Sequence, residues 1–355
     1  FNGNILTTKN IIIATGARPT IPSINGLEKT NFLTSDNLWN IQELPKKLLI
    51  IGGGPIGSEF AQCFARLGSD VTQVEMSPHI LTREDDEISL ALRQQFGREG
   101  IDIHTDTTCK TIVTEKGKQV MVSEKRGQEL RIEFDQILIA VGRTANSKGF
   151  GLENIGIESD QHNRIIVDSY LRTTTHKNIY ACGDVVGPYQ FTHMAAHQAW
   201  YCAVNALFSP FKKFKVNYSV IPWCTFTDPE IARVGLNEKE ATRQGIDYEV
   251  TRYEINNLDR AIADGDDQGF IKVLTAPRKD RVLGATIMSC EAGNLITEYV
   301  SAMKHGIGLN KILGTIHIYP TMAEANKFVA GTWKKNNAPK KLLKLVQKFH
   351  AWRLR

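Results

Sequence analysis

Three glycines and a glutamate are the residues of this sequence best spaced to do chemistry together. Gly52, Gly54 and Gly57 stand at G-x-G-x-x-G spacing in LLIIGGGPIGSEFAQCFARLGSDVTQVE, residues 48–75, and Glu75 closes the run. Such spacing suits a dinucleotide. The first glycine allows a tight turn, the second lets backbone approach a pyrophosphate, and the third lets a helix sit close to its strand. The pyrophosphate would lie at the positive end of a helix starting near Pro55 and Ile56. A carboxylate roughly 20 residues past the glycines can accept hydrogen bonds from a ribose diol.

The elements that must hold these groups are legible around them. Residues 48–51 read as a buried parallel strand, and a second strand ends at Glu75. Residues 9–15 (KNIIIAT) form an apolar strand running into Gly16, and 136–141 (QILIAV) another ending in Gly142-Arg143. IIIATG and ILIAVG end alike, which suggests two related nucleotide-binding units, one inserted in the other. Between them, 26–45 reads as loop and short helix, 84–99 as helix and 102–112 as strand. Residues 120–122 and 129–134 read as a hairpin around Arg126-Gly127. A strand at 178–184 (NIYACGD) precedes an amphipathic helix at 192–207. Near Lys215 the pattern changes to strands at 221–227, 269–274 and 282–288 and helices at 292–305 and 321–330, an α+β arrangement.

The bulk composition narrows the function classes. The 355 residues are 42% hydrophobic and 23% charged, an ordinary globular composition. A formal charge of +5, partly in the C-terminal residues, does not suggest a nucleic-acid surface. No apolar run reaches the ~18 residues of a membrane span. Cysteines at 63, 109, 182, 202, 224 and 290 show neither a C-x-x-C pair nor zinc spacing. They read as buried free thiols of a reducing, cytoplasmic compartment. His193 and His197 lie four apart, but without a third ligand they do not make a metal site. The basic residues beyond Lys334 carry Leu342, Leu343, Val346 and Phe349 along one face. That pattern suits an anionic membrane surface, although such helices more often pack on their own protein.

In order along the chain, IIIATGARP, GGGPIGSEFAQCFARLG, IAVGR, IYACGD, THMAAHQA and YPTMAEA resemble the pyridine nucleotide-disulfide oxidoreductases. MAAHQAW and YPTMAE are most similar to the mercuric reductase branch. The resemblance implies an α/β fold in which a Rossmann-like NAD(P) domain is inserted in an FAD domain, followed by an α+β dimerisation domain. Its expected boundaries are 1–40 and 146–215 for the FAD domain, 41–145 for NAD(P), 216–331 for dimerisation and 332–355 for the tail. It also implies FAD and NAD(P)H as cofactors, a homodimer, and a small-molecule disulfide or metal-ion substrate. The family's first glycine fingerprint and its redox-active C-x-x-x-x-C pair have no counterpart here. The chain is therefore expected to be a fragment, inactive alone, or else a dinucleotide-binding dimerisation module without turnover.

The resemblance also assigns residues. Glu75 favours NAD, since a carboxylate repels a 2′-phosphate, although Arg83 would soften this if its loop folds back. Glu59 stands where relatives pair a glutamate with a lysine near the flavin, and Pro55 where some carry an aromatic gate. Gly142 resembles the glycine passing the nicotinamide half. Thr15 and Gly16 end the matching FAD-domain strand. Gly183 and Asp184 resemble the pair that meets the flavin ribityl chain, and Met194 and Ala195 open the helix aimed at the flavin's pyrimidine edge. Tyr319 takes the place of the thiol acid/base histidine of lipoamide and glutathione reductases, which a glutamate matching Glu324 holds. A phenol with a reference pKa of about 10 is a poor base at neutral pH but can donate a hydrogen bond. Tyrosine here fits mercuric reductase, though the tail lacks that enzyme's C-terminal cysteine pair. His317, two residues earlier, could substitute in principle, although strand alternation would let it point the same way as Tyr319 without reaching the same place. Cys182 is not expected to act as a redox cysteine.

Overall fold

The computed structural model describes residues 5–125 and 127–354. Arg126, half of the expected hairpin turn, lies outside the described residues. The chain divides into two compact units, Phe1–Pro78 with Gly100–Tyr218 and His79–Glu99 with Ser219–Arg355.

The first unit is built on a four-stranded parallel sheet ordered Asp102–His104, Asp70–Val74, Lys47–Ile51 and Gln136–Ile139. Leu48, Leu49 and Ile50 are buried, as a strand covered on both faces requires. Each such side chain contributes roughly 1.5–3 kcal/mol on burial. Helix Pro55–Leu67 follows the central strand with proline in its first turn, where the missing N–H costs nothing. It stops at Gly68, whose left-handed conformation satisfies carbonyls of the last turn. The hairpin is larger than its sequence signal. Thr108–Glu115, Lys118–Lys125 and Gln128–Phe134 form a three-stranded antiparallel sheet.

The echoing strand Ile11–Ile13 pairs in parallel with Ile179–Ala181, in register Ile11 with Ile179. These two strands bring Gly16 and the Cys182-Gly183-Asp184 turn to one edge. Helix Thr192–Phe208 then buries Met194, Gln198, Cys202 and Asn205.

The second unit is α+β, as expected. Its antiparallel sheet runs Pro222–Thr225, Glu230–Gly235, Val282–Ser289, Phe270–Thr275 and Glu249–Glu254. Helices Ala292–His305 and Glu324–Asn336 cover it, with Tyr299, Val329, Ala330 and Trp333 in the shared core. Strands Glu230–Gly235 and Glu249–Glu254 escaped the sequence reading. The first carries a buried arginine at position 233, which breaks the apolar period. Residues 316–318 are irregular rather than the expected strand.

One further expectation is corrected. The cysteines are all free, but Cys63 is exposed on its helix, while Cys109, Cys182 and Cys202 are buried. By compactness, residues 79–99, with helix Asp86–Arg98, group with the second unit. No helix among the described residues is long and apolar enough to cross a membrane.

Candidate functional site

The glycine turn shows three different physical demands at its three positions. Gly52 has φ +119°, and a Cβ there would stand 2.4 Å from the Ala140 carbonyl oxygen. A Cβ on Gly57 would stand 2.1 Å from the Gly52 carbonyl oxygen. Helix and strand therefore approach as closely as the third-glycine role requires. Gly54 faces open space, with no atom within 4 Å of its would-be Cβ. That is the place where a phosphate would meet bare backbone. The turn is braced from below by Gln73, which is fully buried and donates to the Gly52 carbonyl at 3.0 Å. Nothing in the sequence singled out Gln73, because a glutamine inside an apolar strand has no local signature.

Glu75 lies just past strand Asp70–Val74, half-buried. Its carboxylate accepts from the Gly53 amide at 2.6 Å and from the Ser77 amide at 2.7 Å, one bond to each oxygen. A carboxylate offers about four acceptor positions. Two remain for a ribose diol, so the group fits a nucleotide without rearrangement. Ile56 is half-buried and Pro55 exposed at the helix start, and Glu59 sits half-buried one turn further on.

A concavity of about 650 Å³ lies in the same unit, lined by Gly16, Arg143, Cys182, Gly183, Asp184 and Ala195 among others. Four of these are expected cofactor residues. Thr15 instead donates to the Asn146 carbonyl at 2.6 Å, and Met194 is buried beneath the helix surface. Gly142 is exposed with φ +120°. Asp184 has an ion pair with Arg143 at 3.8 Å and no hydrogen-bond donor among the described residues. Burial pushes its carboxyl above the usual range, and Arg143 opposes that rise. A half-buried acceptor facing a cavity without a donor fits a polyhydroxylated ligand chain such as the ribityl of FAD.

Arg143 is the residue the sequence reading passed over here. The IAVGR motif contained it, but its role needs long-range partners. It donates to the Ala17 carbonyl at 2.6 Å and to the Ser35 hydroxyl at 3.1 Å, and lies 3.8 Å from Asp36. Gln198 likewise accepts from the Gly183 amide at 2.6 Å and donates to the Tyr218 hydroxyl at 3.0 Å, fixing the turn before Asp184.

Cys182 has a partner that sequence distance concealed. Cys202 packs with it in one buried cluster and donates to the Ala181 carbonyl at 3.5 Å. The neighbouring Cys182 thiol and burial together push the Cys202 thiol far up, so it is no nucleophile at neutral pH. His193 stacks on Phe191 at 5.2 Å, and His197 meets Tyr201 edge-on at 4.9 Å.

In the second unit, Tyr319 is 67% exposed, and its hydroxyl donates to Asp259 at 3.0 Å. That bond, then the charge of Asp259, raises the phenol's pKa above its ordinary value. Glu324 is buried and accepts from the Thr321 amide at 3.5 Å rather than from Tyr319. The structure therefore does not join Tyr319 and Glu324 by a hydrogen bond. His317 is tucked in, with Nε2 at 3.2 Å from both Glu298 oxygens. It does not share the outlook of Tyr319, because the segment is irregular and the two side chains part.

Asp85, Glu87 and Glu238 come close enough to chelate a cation. The position is taken by the Lys272 ammonium, 2.5 Å from Asp85 and 2.8 Å from Glu238 and also paired to Glu87. Arg83 offers its backbone carbonyl to Arg233 and Asn237.

Residues 2–199 match the family described as pyridine nucleotide-disulphide oxidoreductase, and residues 221–329 match its dimerisation domain. The chain is 36% identical over 323 residues to mercuric reductase of Streptomyces lividans, covering 91% of this chain and 67% of the relative. It is 34% identical over 337 residues to that of Staphylococcus aureus, covering 94% and 61%. Dihydrolipoyl dehydrogenase of Chlamydia muridarum is 34% identical over 323 residues, covering 90% and 68%. The chain thus spans about two thirds or less of these curated relatives. Among solved structures it is similar to the HOCl-induced flavoprotein disulfide reductase RclA of Escherichia coli. That match has a TM-score of 0.83 at 30% identity, over 91% of this chain and 73% of the other. LpdA of Mycobacterium tuberculosis gives a TM-score of 0.82 at 26% identity, over 90% and 69%. Family members use FAD and NAD(P)H. With both halves of the chain matched and the glycine turn, Glu75 and Asp184 arranged as above, the chain belongs to the pyridine nucleotide-disulphide oxidoreductases.

Proposed function

We propose that this protein is a cytoplasmic homodimeric flavoenzyme that takes electrons from NADH and passes them to a metal ion or disulfide, as a mercuric reductase-like oxidoreductase. When bound, the nicotinamide and flavin supply the hydride chemistry, and the protein orients them. The glycine turn and the amide end of helix Pro55–Leu67 would hold the pyrophosphate, and Glu75 the ribose. Asp184 would accept from the ribityl hydroxyls, with Gly183 allowing the backbone to approach. Gly142, Glu59 and the helix opened by Met194 and Ala195 would flank the reacting ring.

The observation that carries the nucleotide choice is the Glu75 carboxylate, fixed by two amides with acceptor positions still open. A 2′-phosphate would meet that charge directly, so the reading is NAD over NADP. Glu75→Ala removes a charged acceptor worth about 1.5–3 kcal/mol. NADH affinity should fall roughly ten- to a hundredfold in equilibrium titration, and an unchanged affinity would remove this assignment.

Tyr319 supports a metal-ion acceptor over lipoamide. Its phenol is held protonated by Asp259, so it can donate a hydrogen bond but cannot serve as a neutral-pH base. The relatives named mercuric reductase, and a solved structure described as a Cu(II) complex of RclA, point to the same substrate class. Exposed Ile316, Ile318 and Tyr319 beside the match to a dimerisation domain support a homodimer in which the partner's Tyr319 and Glu324 complete each site. These 355 residues contain no C-x-x-x-x-C pair. We therefore propose that they bind nucleotide without turnover on their own, and that turnover needs a redox pair from outside them.

A further inference from the structure

Helix Lys340–Arg353 has no buried residue. Leu342, Leu343, Leu345, Val346, Phe349 and Trp352 are all between 42% and 71% exposed. At about 100° per residue these six side chains occupy one half of the helix, an arc of about 180°. Lys340, Lys341, Lys344 and Lys348 fall together on the opposite side, within about 100°. No side chain of the helix makes a hydrogen bond or ion pair with the rest of the chain among the described residues. The charge is as one-sided as the shape. After Glu324 the sequence contains no aspartate or glutamate, but seven lysines and two arginines. Phe349 and Trp352 lie 6.2 Å apart near its C-terminal end, with the Arg353 guanidinium 5.8 Å from the Phe349 ring.

We propose that this helix docks the protein on an anionic lipid bilayer, lying flat with its apolar half among the acyl chains and its lysines at the headgroups. The helix is 14 residues, too short to span a bilayer but ample for interfacial binding. A leucine- and aromatic-rich half opposite a lysine row is the pattern that partitions into a membrane interface. The lysine stems can lie along the apolar surface while their ammonium groups reach lipid phosphates. Charge decides between covers for this face. A second copy of the same helix would bring a second set of lysines with no carboxylate to meet them, whereas anionic lipid neutralises them. The inference does not depend on the nucleotide reading above.

The test is co-sedimentation of the 355-residue protein with vesicles of phosphatidylcholine alone or mixed with phosphatidylglycerol. The protein should pellet with the mixed vesicles, remain in the supernatant with phosphatidylcholine, and be released by high salt. Replacing Lys340, Lys341, Lys344 and Lys348 with Gln should weaken binding roughly fivefold per lysine removed. Val346→Glu with Phe349→Glu should abolish it. Both variants should keep the parent's thermal melt, since no residue of the helix is buried, and a lowered melt would contradict that premise. Absence of pelleting with the mixed vesicles, or pelleting that both variants retain, would overturn the proposal. So would a change of oligomeric state in the Val346/Phe349 variant, which would show that a second copy covers the face.

Discussion

Gly54 and Gly57 make the most discriminating pair of single substitutions in the molecule. A methyl at Gly57 would meet the Gly52 carbonyl at 2.1 Å, so Gly57→Ala must push the helix off its strand. It should cost about 1–3 kcal/mol of stability in denaturant unfolding. Gly54 has extended backbone and open space. Gly54→Ala should leave stability within about 0.5 kcal/mol yet obstruct the pyrophosphate and lose NADH binding. If both lose stability equally, the turn is only structural. The spacing G-x-G-x-x-G announced these roles because each is set by local backbone. Gln73, Arg143 and Gln198 were not legible, because their partners lie 15 to 126 residues away in the chain. Asp259 was equally silent. Because its charge raises the Tyr319 pKa, Asp259→Asn should lower it toward about 10. Phenolate absorbance would show this as an earlier titration on the alkaline side, and an unchanged midpoint would deny the interaction.

At the scale of elements, the sequence revealed most strands with apolar runs and concealed two that carry charge, Glu230–Gly235 and Glu249–Glu254. Strand Glu230–Gly235 holds Arg233 at 1% exposure. Its guanidinium meets Glu84 at 3.0 Å and Glu240 at 2.9 Å and lies 4.3 Å from the Trp223 ring centroid. Strand Phe270–Thr275, legible at 269–274 through its apolar residues, also buries a charge, Lys272 among Asp85, Glu87 and Glu238. These ion pairs tie residues 84–87 into the second unit, which explains why helix Asp86–Arg98 clusters there. No periodicity predicts a pair such as Lys272 with Asp85, 187 residues apart in the chain. Lys272→Met would leave the Asp85 carboxylate buried and unpaired, costing about 3–5 kcal/mol, and Asp85→Asn in the same chain should recover part of that loss. Absence of any recovery in a double-mutant cycle would contradict the pairing. The carboxylates raise the Lys272 pKa against the opposing effect of burial. Its stabilisation is therefore full below about pH 10.4, the unfolded value, and is lost only as pH rises through the higher folded value. Stability should thus be insensitive to this group across neutral pH.

For the whole molecule, motif order sufficed to anticipate an α/β unit followed by an α+β unit, because each motif sits at a strand end that the fold must place. The cavity at Gly183 and Asp184 was half legible. Its glycine and acid stand in sequence, but its wall of Gly16 and Arg143 assembles through the pairings of Ile11–Ile13 with Ile179–Ala181 and of Ala17–Pro19 with Arg143–Ala145. The electron route proposed here starts at the glycine turn and passes through a flavin held at Asp184. Its most direct measurement is the visible absorption spectrum of the purified protein as NADH is added without oxygen. The account predicts an oxidised-flavin band that bleaches with NADH, and at lower concentration than with NADPH. A protein that holds no flavin even after incubation with FAD, or a flavin band that NADH leaves unchanged, would contradict it.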